Sequence, residues 1–358
     1  MMNDSLSKIR MLIDKIDKQI IKSLNERGRL AKKIKQAKSF SSNKILFRPE
    51  REAQILRNIE KLNDGPLLDK HVQIIFREII SSCLSLETEL KVSCLGPEQS
   101  YSNIALNKFF GSSVLTHFSD SLEKIFSDVK RKNIDFGIVP IENSSQGSIK
   151  ETIEYLISDG VKICGEVNLF IQHCVLSNAK KTSDIKKIYA HEQTFLQCNN
   201  WISKNIPNAK RVFVSSNSAA AKKASKLTGS AAIASNTCSL FYKIPILKKN
   251  INDNIDNMTR FIVIGNQVVE PSGSDKTSIL VSVDNKAGAL NNLLSCLAKK
   301  NISMSKIESI PTKINNWEYM FLLDIDGHVK EKIVSNTLKQ IEQKSVFYLN
   351  LGSYPKSI

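Results

Sequence analysis

The sequence predicts a multidomain chain: an all-α segment of three helices, a two-lobed α/β segment, and a small α+β module of β-α-β-β-α-β order. Three observations predict it. Apolar residues recur every three or four positions from Leu6 to about Lys38. Strand-like and helix-like runs alternate from Lys91 to Gly265. A shorter alternation in split βαβ order closes the chain. A length of 358 residues also exceeds one ordinary core, since domains average roughly 150 residues.

In the helical segment, residues 1–90, the positions Leu6, Ile9, Ile13, Ile16, Ile20, Leu24, Ala31 and Ile34 form one stripe. They read as a long amphipathic helix of about 50 Å, interrupted only by Gly28. A polar loop over 39–44 follows, and Pro49 then sits in the first turn of a second helix, where proline is accepted. That helix ends near Asn63-Asp64-Gly65-Pro66, and a third spans about Leu67 to Glu89. Three helices of such unequal length cannot enclose the stripe within one subunit, so a homodimer or higher oligomer is expected.

The middle segment, 91–267, begins with strands at Lys91–Leu95, Val114–Phe118 and Ile134–Pro140, separated by helices over 102–110 and 122–130. A helix over 149–157 precedes a long extended run, Val161–Leu176. Strands follow at Ile188–Ala190, Arg211–Ser215, Ala231–Ala234 and Thr259–Gly265, with helices around 195–204 and 219–227. Such alternation predicts parallel sheet covered by helices. The run at 161–176 would carry the chain into a second lobe, about 171–240, and the strand at Thr259 would return it, leaving a cleft. Gln267–Lys276, with Pro271-Ser272-Gly273-Ser274, reads as a flexible linker. The last module, 277–354, has strands at 277–283, 302–310, 319–325 and 346–352 and helices at 288–299 and 329–343.

Bulk properties exclude several classes. Hydrophobic content of 41% is that of a globular protein. No apolar run reaches the roughly 18 to 20 residues of a membrane span, and the polar N-terminus is no secretory signal. Seven scattered cysteines without a C-x-x-C pair read as reduced thiols in the core, which places the chain in the cytoplasm. A net charge of +16 invites a nucleic-acid reading, but the lysines are spread evenly rather than gathered into a basic stripe, so no nucleic acid is expected. The scarcer arginines hint at bidentate carboxylate recognition. No metal-ligand spacing, G-x-x-x-x-G-K-[ST] or G-x-G-x-x-G occurs, so no cofactor, nucleotide or metal is implied.

Two short runs carry most of the chemistry. Val139-Pro140-Ile141-Glu142-Asn143-Ser144 closes one apolar strand, and Thr259-Arg260-Phe261 opens another. Polar side chains at the ends of buried strands are where open α/β sheets place ligands. With Leu95-Gly96-Pro97-Glu98-Gln99-Ser100-Tyr101-Ser102 and His191-Glu192-Gln193, taken in order, they resemble the prephenate dehydratase family. The resemblance implies a two-lobed domain like a periplasmic binding protein, acting on prephenate. It places Thr259 beside the departing hydroxyl, with Asn143 and Gln193 polarising or positioning. Arg260 would bind a carboxylate or close the lobes as an ion pair. Ser144 and the helix after Gly147 would supply anion-binding amides. His191 and Cys198 read as a supporting and a packing residue.

In the helical segment, Arg27 and Lys38 project from one face about three turns apart. Arg51 and Glu52 open the next helix, and Cys83 and Glu87 share a face of the third. This order resembles the AroQ-type chorismate mutase domain. The resemblance implies chorismate as substrate, with Arg10 (from a partner subunit) and Arg27 on its carboxylates. Lys38 would serve a carboxylate and the ether oxygen, Arg51 would belong to the site, and Glu52 would accept from the ring hydroxyl. A pericyclic rearrangement needs no cofactor, only a compact conformer and donors aimed at the ether oxygen. Three positions depart from the family pattern: Arg48 replaces an Asp, Cys83 a serine, and Glu87 a glutamine donor. A carboxyl donates only while protonated, so Glu87 implies either a raised pKa or a slower mutase at neutral pH.

The last module resembles an ACT domain. Ala287-Gly288-Ala289-Leu290 and Glu308-Ser309-Ile310-Pro311 match its two phenylalanine-binding motifs, which assigns regulatory roles to Gly288, Ala289, Leu290, Glu308 and Ser309. Ile310 stands where the family carries Arg, and Asn291 where an apolar residue is usual. The expectation is weakened or absent phenylalanine inhibition. The whole resembles a bifunctional enzyme of phenylalanine biosynthesis, an isomerase and lyase taking chorismate through prephenate to phenylpyruvate. Two rival readings are a dehydratase whose helical domain only dimerises, and a non-enzymatic two-lobed ligand-binding module.

Overall fold

A computed structural model describes residues 2–39, 47–311 and 319–357. The chain divides into two compact units. The first comprises helix α1 (Met2–Ser39), then Ile55–Leu90, and Phe110–Leu115. The second comprises Pro49–Gln54, Lys91–Phe109 and Thr116–Ile358. Helix α2 (Pro49–Leu62) therefore contributes to both, and α3 (Asp69–Glu87) belongs to the first.

In the first unit α1 runs for 38 residues, about 57 Å of helix. It meets α3 closely at Gly28, where an added Cβ would lie 3.3 Å from Leu86 Cδ1. The glycine inside the helical pattern thus marks a crossing rather than a break. Arg27 Nη1 donates to Ile79 O across the same pair of helices. The stripe of α1 stays open: Ile9, Ile13 and Ile16 are 51%, 51% and 53% exposed. The turn from α2 to α3 is closed by Asn63, whose Nδ2 donates to Leu67 O and Asp69 Oδ1. Gly111 (φ +74°) lies so close to α3 that a Cβ would fall 2.4 Å from Ser81 Cβ.

The second unit opens with β1 (Lys91–Leu95), α4 (Tyr101–Phe110), β2 (Leu115–Ser119), α5 (Leu122–Lys130), β3 (Phe136–Asn143), β4 (Gly147–Ser148), α6 (Lys150–Asp159) and β5 (Lys162–Phe170). It continues through β6 (Cys174–Ser177), β7 (Lys187–Ala190), α7 (Glu192–Gln197), α8 (Asn199–Asn205), β8 (Lys210–Phe213), α9 (Asn217–Ala224), β9 (Ser230–Ala234), α10 (Asn236–Tyr242), β10 (Ile246–Lys248) and β11 (Met258–Gly265). One sheet has the order β2-β1-β3-β11-β5, with β4 against β3, and another β10-β6-β9-β7-β8. The chain leaves the first sheet after β5 and returns with β11, as the sequence predicts. The sheets are mixed rather than parallel, which corrects the expectation. β11 runs antiparallel to β3 and β5, and β6 antiparallel to β9 and β10. A strand that returns from another lobe has no helix to reverse it within its own sheet, so it enters antiparallel. The segment α10–β10 is missing from the sequence reading, and the helix expected over 195–204 breaks at Cys198.

The chain ends with β12 (Asp275–Ser282), α11 (Ala289–Ala298), β13 (Met304–Pro311), β14 (Tyr319–Asp326), α12 (Lys332–Lys344) and β15 (Phe347–Pro355). Its sheet order is β13-β14-β12-β15, antiparallel throughout. One face carries α11 and α12 over Ile279, Val281, Leu323 and Ile325. The other buries Leu280, Ile310, Leu322 and Leu351 in one core with Val139, Ile141, Ile262 and Ile264 of the first sheet. Gly352 touches backbone there: a Cβ would lie 2.3 Å from Ile163 O. The segment before β12 is anchored rather than loose. Val269 O accepts from buried His328 Nε2, and Ser272 Oγ donates to Asp275 Oδ1 at 2.6 Å. The third module is therefore part of the second unit, not a tethered appendage.

Candidate active sites

The first sheet brings the two polar runs together. β3 ends at Asn143 and β11 begins at Met258, and antiparallel pairing sets Thr259 opposite Asn143. Asn143 Nδ2 donates to Thr259 Oγ1 at 2.8 Å and to Asn257 Oδ1 at 2.9 Å, while its Oδ1 accepts from Ser145 N. The amide is fully used, and its orientation is fixed. Thr259 Oγ1 accepts from it, so this bond leaves the threonine its own hydrogen to donate, and both residues line the same cavity.

That cavity, about 270 Å³, lies between the two lobes. Gln193 reaches it from the second lobe and donates from Nε2 to Gln146 Oε1 of the first. His191 caps α7: its Nδ1 accepts from Gln193 N, which makes it a positioning group for the glutamine. Four helices begin at the cavity wall. α4 starts there at Tyr101, α7 follows His191, α9 is capped by Ser216, and α10 follows Ser235. Their leading N–H groups supply positive potential to a chamber lined by hydroxyls, amides, two histidines and the apolar side chains of Pro140, Ile149 and Ile171.

The sequence reading missed Asn257, Ser218 and His173, and it named Tyr101 only within its motif, without a role. Asn257 is buried and holds the Asn143 amide; its place two residues before Thr259 was the available signal. His173 is 1% exposed. Its Nε2 lies 2.8 Å from Gln197 Oε1 and its Nδ1 3.2 Å from Tyr101 Oη. Burial pushes its pKa down to about 4 against the opposing Gln197 bond, so it is neutral at physiological pH. Ser218 Oγ donates to Glu98 O and meets Tyr242 Oη, tying α9 to the loop before α4.

Two candidates lie elsewhere. Ser144 is exposed and is not part of the cavity wall. Its hydroxyl accepts from Met258 N and donates to Asp256 O, stapling the two strand ends. Arg260, next to Thr259, points the other way, because adjacent strand residues face opposite sides. Its guanidinium meets Glu166 at 2.8 Å, Asp324 at 2.6 Å and Tyr354 Oη at 2.9 Å. Burial lowers its pKa, but Tyr354, Asp324 and Glu166 outweigh that and raise it, so it stays charged. It forms an ion pair, but with Glu166 of its own sheet and Asp324 of the C-terminal sheet rather than one that closes the two lobes. All seven cysteines are buried and unpaired, Cys198 among them.

The helical candidates are spread along the first unit. Arg10 is exposed on α1, about 25 Å of helix from Arg27. No small dicarboxylate spans that distance, so the two arginines of one chain cannot share one ligand. Arg27 is half-buried, Cys83 is buried, and Glu87 is half-buried one turn beyond Cys83 on α3. Arg48 and Arg51 are exposed and Glu52 is buried at the start of α2. The side chain of Lys38 lies outside the described residues. In the last module, Gly288 caps α11 with φ +81° and leads into Ala289 and Leu290. Glu308 instead meets Lys306 and Ser148 on the opposite side of its sheet, and Ile310 is buried beside it. Ser309 alternates to the helix-bearing face.

Among the described residues, no group of three or more His, Cys, Asp or Glu could hold a metal, and no helix is long and apolar enough to cross a membrane.

Two family models and several known proteins are similar to this chain. The family Prephenate dehydratase matches residues 92–268, and Chorismate mutase type II matches residues 9–88. A bifunctional chorismate mutase/prephenate dehydratase of Pseudomonas aeruginosa is 40% identical over 99% of both chains. Among solved structures, a prephenate dehydratase from Staphylococcus aureus superposes with a TM-score of 0.66 at 26% identity, covering 74% of this chain and 100% of that one. A prephenate dehydratase from Arthrobacter aurescens, solved in complex with L-Phe, gives 0.66 at 28%, covering 74% and 89%.

Proposed function

Because this chain belongs to the bifunctional chorismate mutase/prephenate dehydratase family, we propose that the interlobe cavity is its dehydratase site and that Thr259 and Asn143 act on the reacting ring. The chain carries both activities, chorismate to prephenate and prephenate to phenylpyruvate. In the second step the electrons of the bond to the ring carboxylate flow into the ring and expel the hydroxyl. One proton joins that hydroxyl, and carbon dioxide, water and phenylpyruvate leave. The ring becomes aromatic, so the protein's task is to assist the departing oxygen and hold the diacid. Thr259 presents its free hydroxyl hydrogen to that oxygen, and Asn143 polarises the threonine by donating to it. Gln193, held by His191 and Gln146, orients the ring. The carboxylates meet the N–H groups that begin α4 and α9, with the hydroxyls of Ser216 and Ser218 nearby.

The Asn143–Thr259 hydrogen bond across two strands carries this reading. Thr259→Val keeps the shape and removes the donor. We expect its dehydratase kcat to fall about 10²-fold or more while prephenate still binds. A variant within threefold of wild type would overturn the assignment.

The mutase site assembles from two copies of the chain. Arg27 and Lys38 of α1 and Cys83 and Glu87 of α3 come from one subunit, and Arg10 from the partner's α1. Two features support this reading: the separation of Arg10 from Arg27 and the open apolar stripe of α1. The last module acts as an ACT-type regulatory domain with weakened response to phenylalanine, the ligand bound by the Arthrobacter relative.

A further inference from the structure

The residues flanking the dehydratase pair are both fastened to the C-terminal sheet. On β11, Arg260 follows Thr259; on β3, Glu142 precedes Asn143; and the two are opposite each other in register. Their side chains leave the cavity side and enter one network of charges. Arg260, with its side chain 11% exposed, pairs with Glu166 of β5 and Asp324 of β14, and donates to Tyr354 Oη of β15. Tyr354 meets Ser278 Oγ, which also donates to Asp324. Lys276 of β12 closes the other side of Glu166 at 2.9 Å. From β13, Lys306 binds Glu142 at 2.7 Å and Glu308 at 3.0 Å, and Glu308 accepts from Ser148 of β4.

The ladder between β3 and β11 is interrupted at this point. The register shifts between Arg260 and Phe261, which pairs with Pro140 and leaves Ile141 as the extra residue of a bulge. Pro140 has no N–H to give, so the ladder lacks a bond beside the bulge, and beyond it the strand ends are held by Ser144 N, which donates to Met258 O, and by the side chains behind the sheet. A buried ion network is costly unless its geometry is well satisfied, and its best-attested use is fixing register. We propose that Arg260 and Lys306 are positioning residues of the dehydratase, and that through them the C-terminal sheet holds β11 and β3 in the register that makes the Asn143–Thr259 hydrogen bond. The role predicted for Glu308 changes accordingly: it belongs to the dehydratase side of the sheet and acts through Ser148 and Lys306.

The proposal rests on the reading of Asn143 and Thr259 given above, and the test separates the two. Asp324→Asn and Lys306→Met alter residues of the C-terminal sheet that do not line the cavity, with Arg260→Met and Arg260→Lys as companions. For each full-length variant, kcat and KM for prephenate, the mutase rate and the thermal midpoint are measured. We expect Asp324→Asn and Lys306→Met to lower kcat at least tenfold with KM within twofold and the mutase rate unchanged. Arg260→Lys should recover part of what Arg260→Met loses. The double variant Arg260→Met with Asp324→Asn should be no worse than Arg260→Met alone, as for two residues of one unit. Three outcomes overturn the proposal. They are wild-type kcat in folded Asp324→Asn, a raised KM with unchanged kcat in Arg260→Met, and activity losses that match the unfolded fraction. An inert Thr259→Val would instead sink the site assignment, whatever these variants do.

Discussion

Thr259 is 9% exposed with its oxygen engaged by Asn143, and His173, 1% exposed, lines the same cavity. Both are polar and buried, yet burial gives them different work. The threonine has no charge to lose and keeps a hydrogen to donate. The histidine gives up its positive charge instead, because burial takes water from the imidazolium and so disfavours the charged form, against the bond to Gln197. The sign of its pH effect follows. The unfolded ring takes up a proton near pH 6.5 and the folded one near pH 4, so between those values the unfolded state binds more protons. Stability is therefore full above pH 6.5 and falls as the pH drops toward 4, by at most about 1.4 kcal/mol per pH unit. His173→Gln should flatten this limb. Urea midpoints taken across the window check it, and an unchanged slope would refute the assignment. The sequence singled out Asn143, Thr259 and Gln193 because their runs are contiguous and sit at strand ends. It passed over His173 and Asn257, whose importance comes only from neighbours far along the chain.

α1 shows what periodicity reveals and what it conceals. Its stripe is legible because a 3.6-residue repeat is local, but the surface covering that stripe is not encoded by position in the chain. The described helix leaves Ile13 and Ile16 about half exposed, which a solitary subunit would tolerate poorly. Ile13→Asp with Ile16→Asp should shift the protein toward monomer by light scattering. With Arg10 of the partner withdrawn, the mutase rate should fall about 10²-fold, while dehydratase turnover stays within twofold. A monomeric variant with full mutase activity would disprove the shared site. β11 makes the converse point. Its apolar run was readable as a strand, but its direction was not: a sheet neighbour is chosen by where the chain has been, and β11 arrives from the other lobe.

The C-terminal sheet joins the dehydratase core through Leu280, Ile310, Leu322 and Leu351, so the third module and the α/β lobes form one compact unit. That arrangement places Ile310, 8% exposed, in packing rather than at a ligand, and it turns Glu308 toward Ser148. On the regulatory reading proposed above, both arrangements withdraw side chains from an amino-acid ligand. Titration calorimetry with phenylalanine should give a Kd weaker than about 1 μM, a binding free energy smaller than about 8 kcal/mol. Submicromolar binding would contradict it.

The features readable along the chain are local and contiguous: three helices, the alternating strands and helices of the lobes, the closing βαββαβ order, and the paired polar runs that resemble those of a dehydratase. These depend on periodicities of two and 3.6 residues and on short motifs, which are properties of neighbouring positions. Tertiary structure alone decided that the sheets are mixed, that Arg260 faces away from the cavity, and that four helix starts converge on it. It also decided that the last module is fastened to the catalytic strands. Each of these turns on which distant segments meet, and long-range pairing is fixed by burial and charge compensation over the whole unit rather than by any stretch within it.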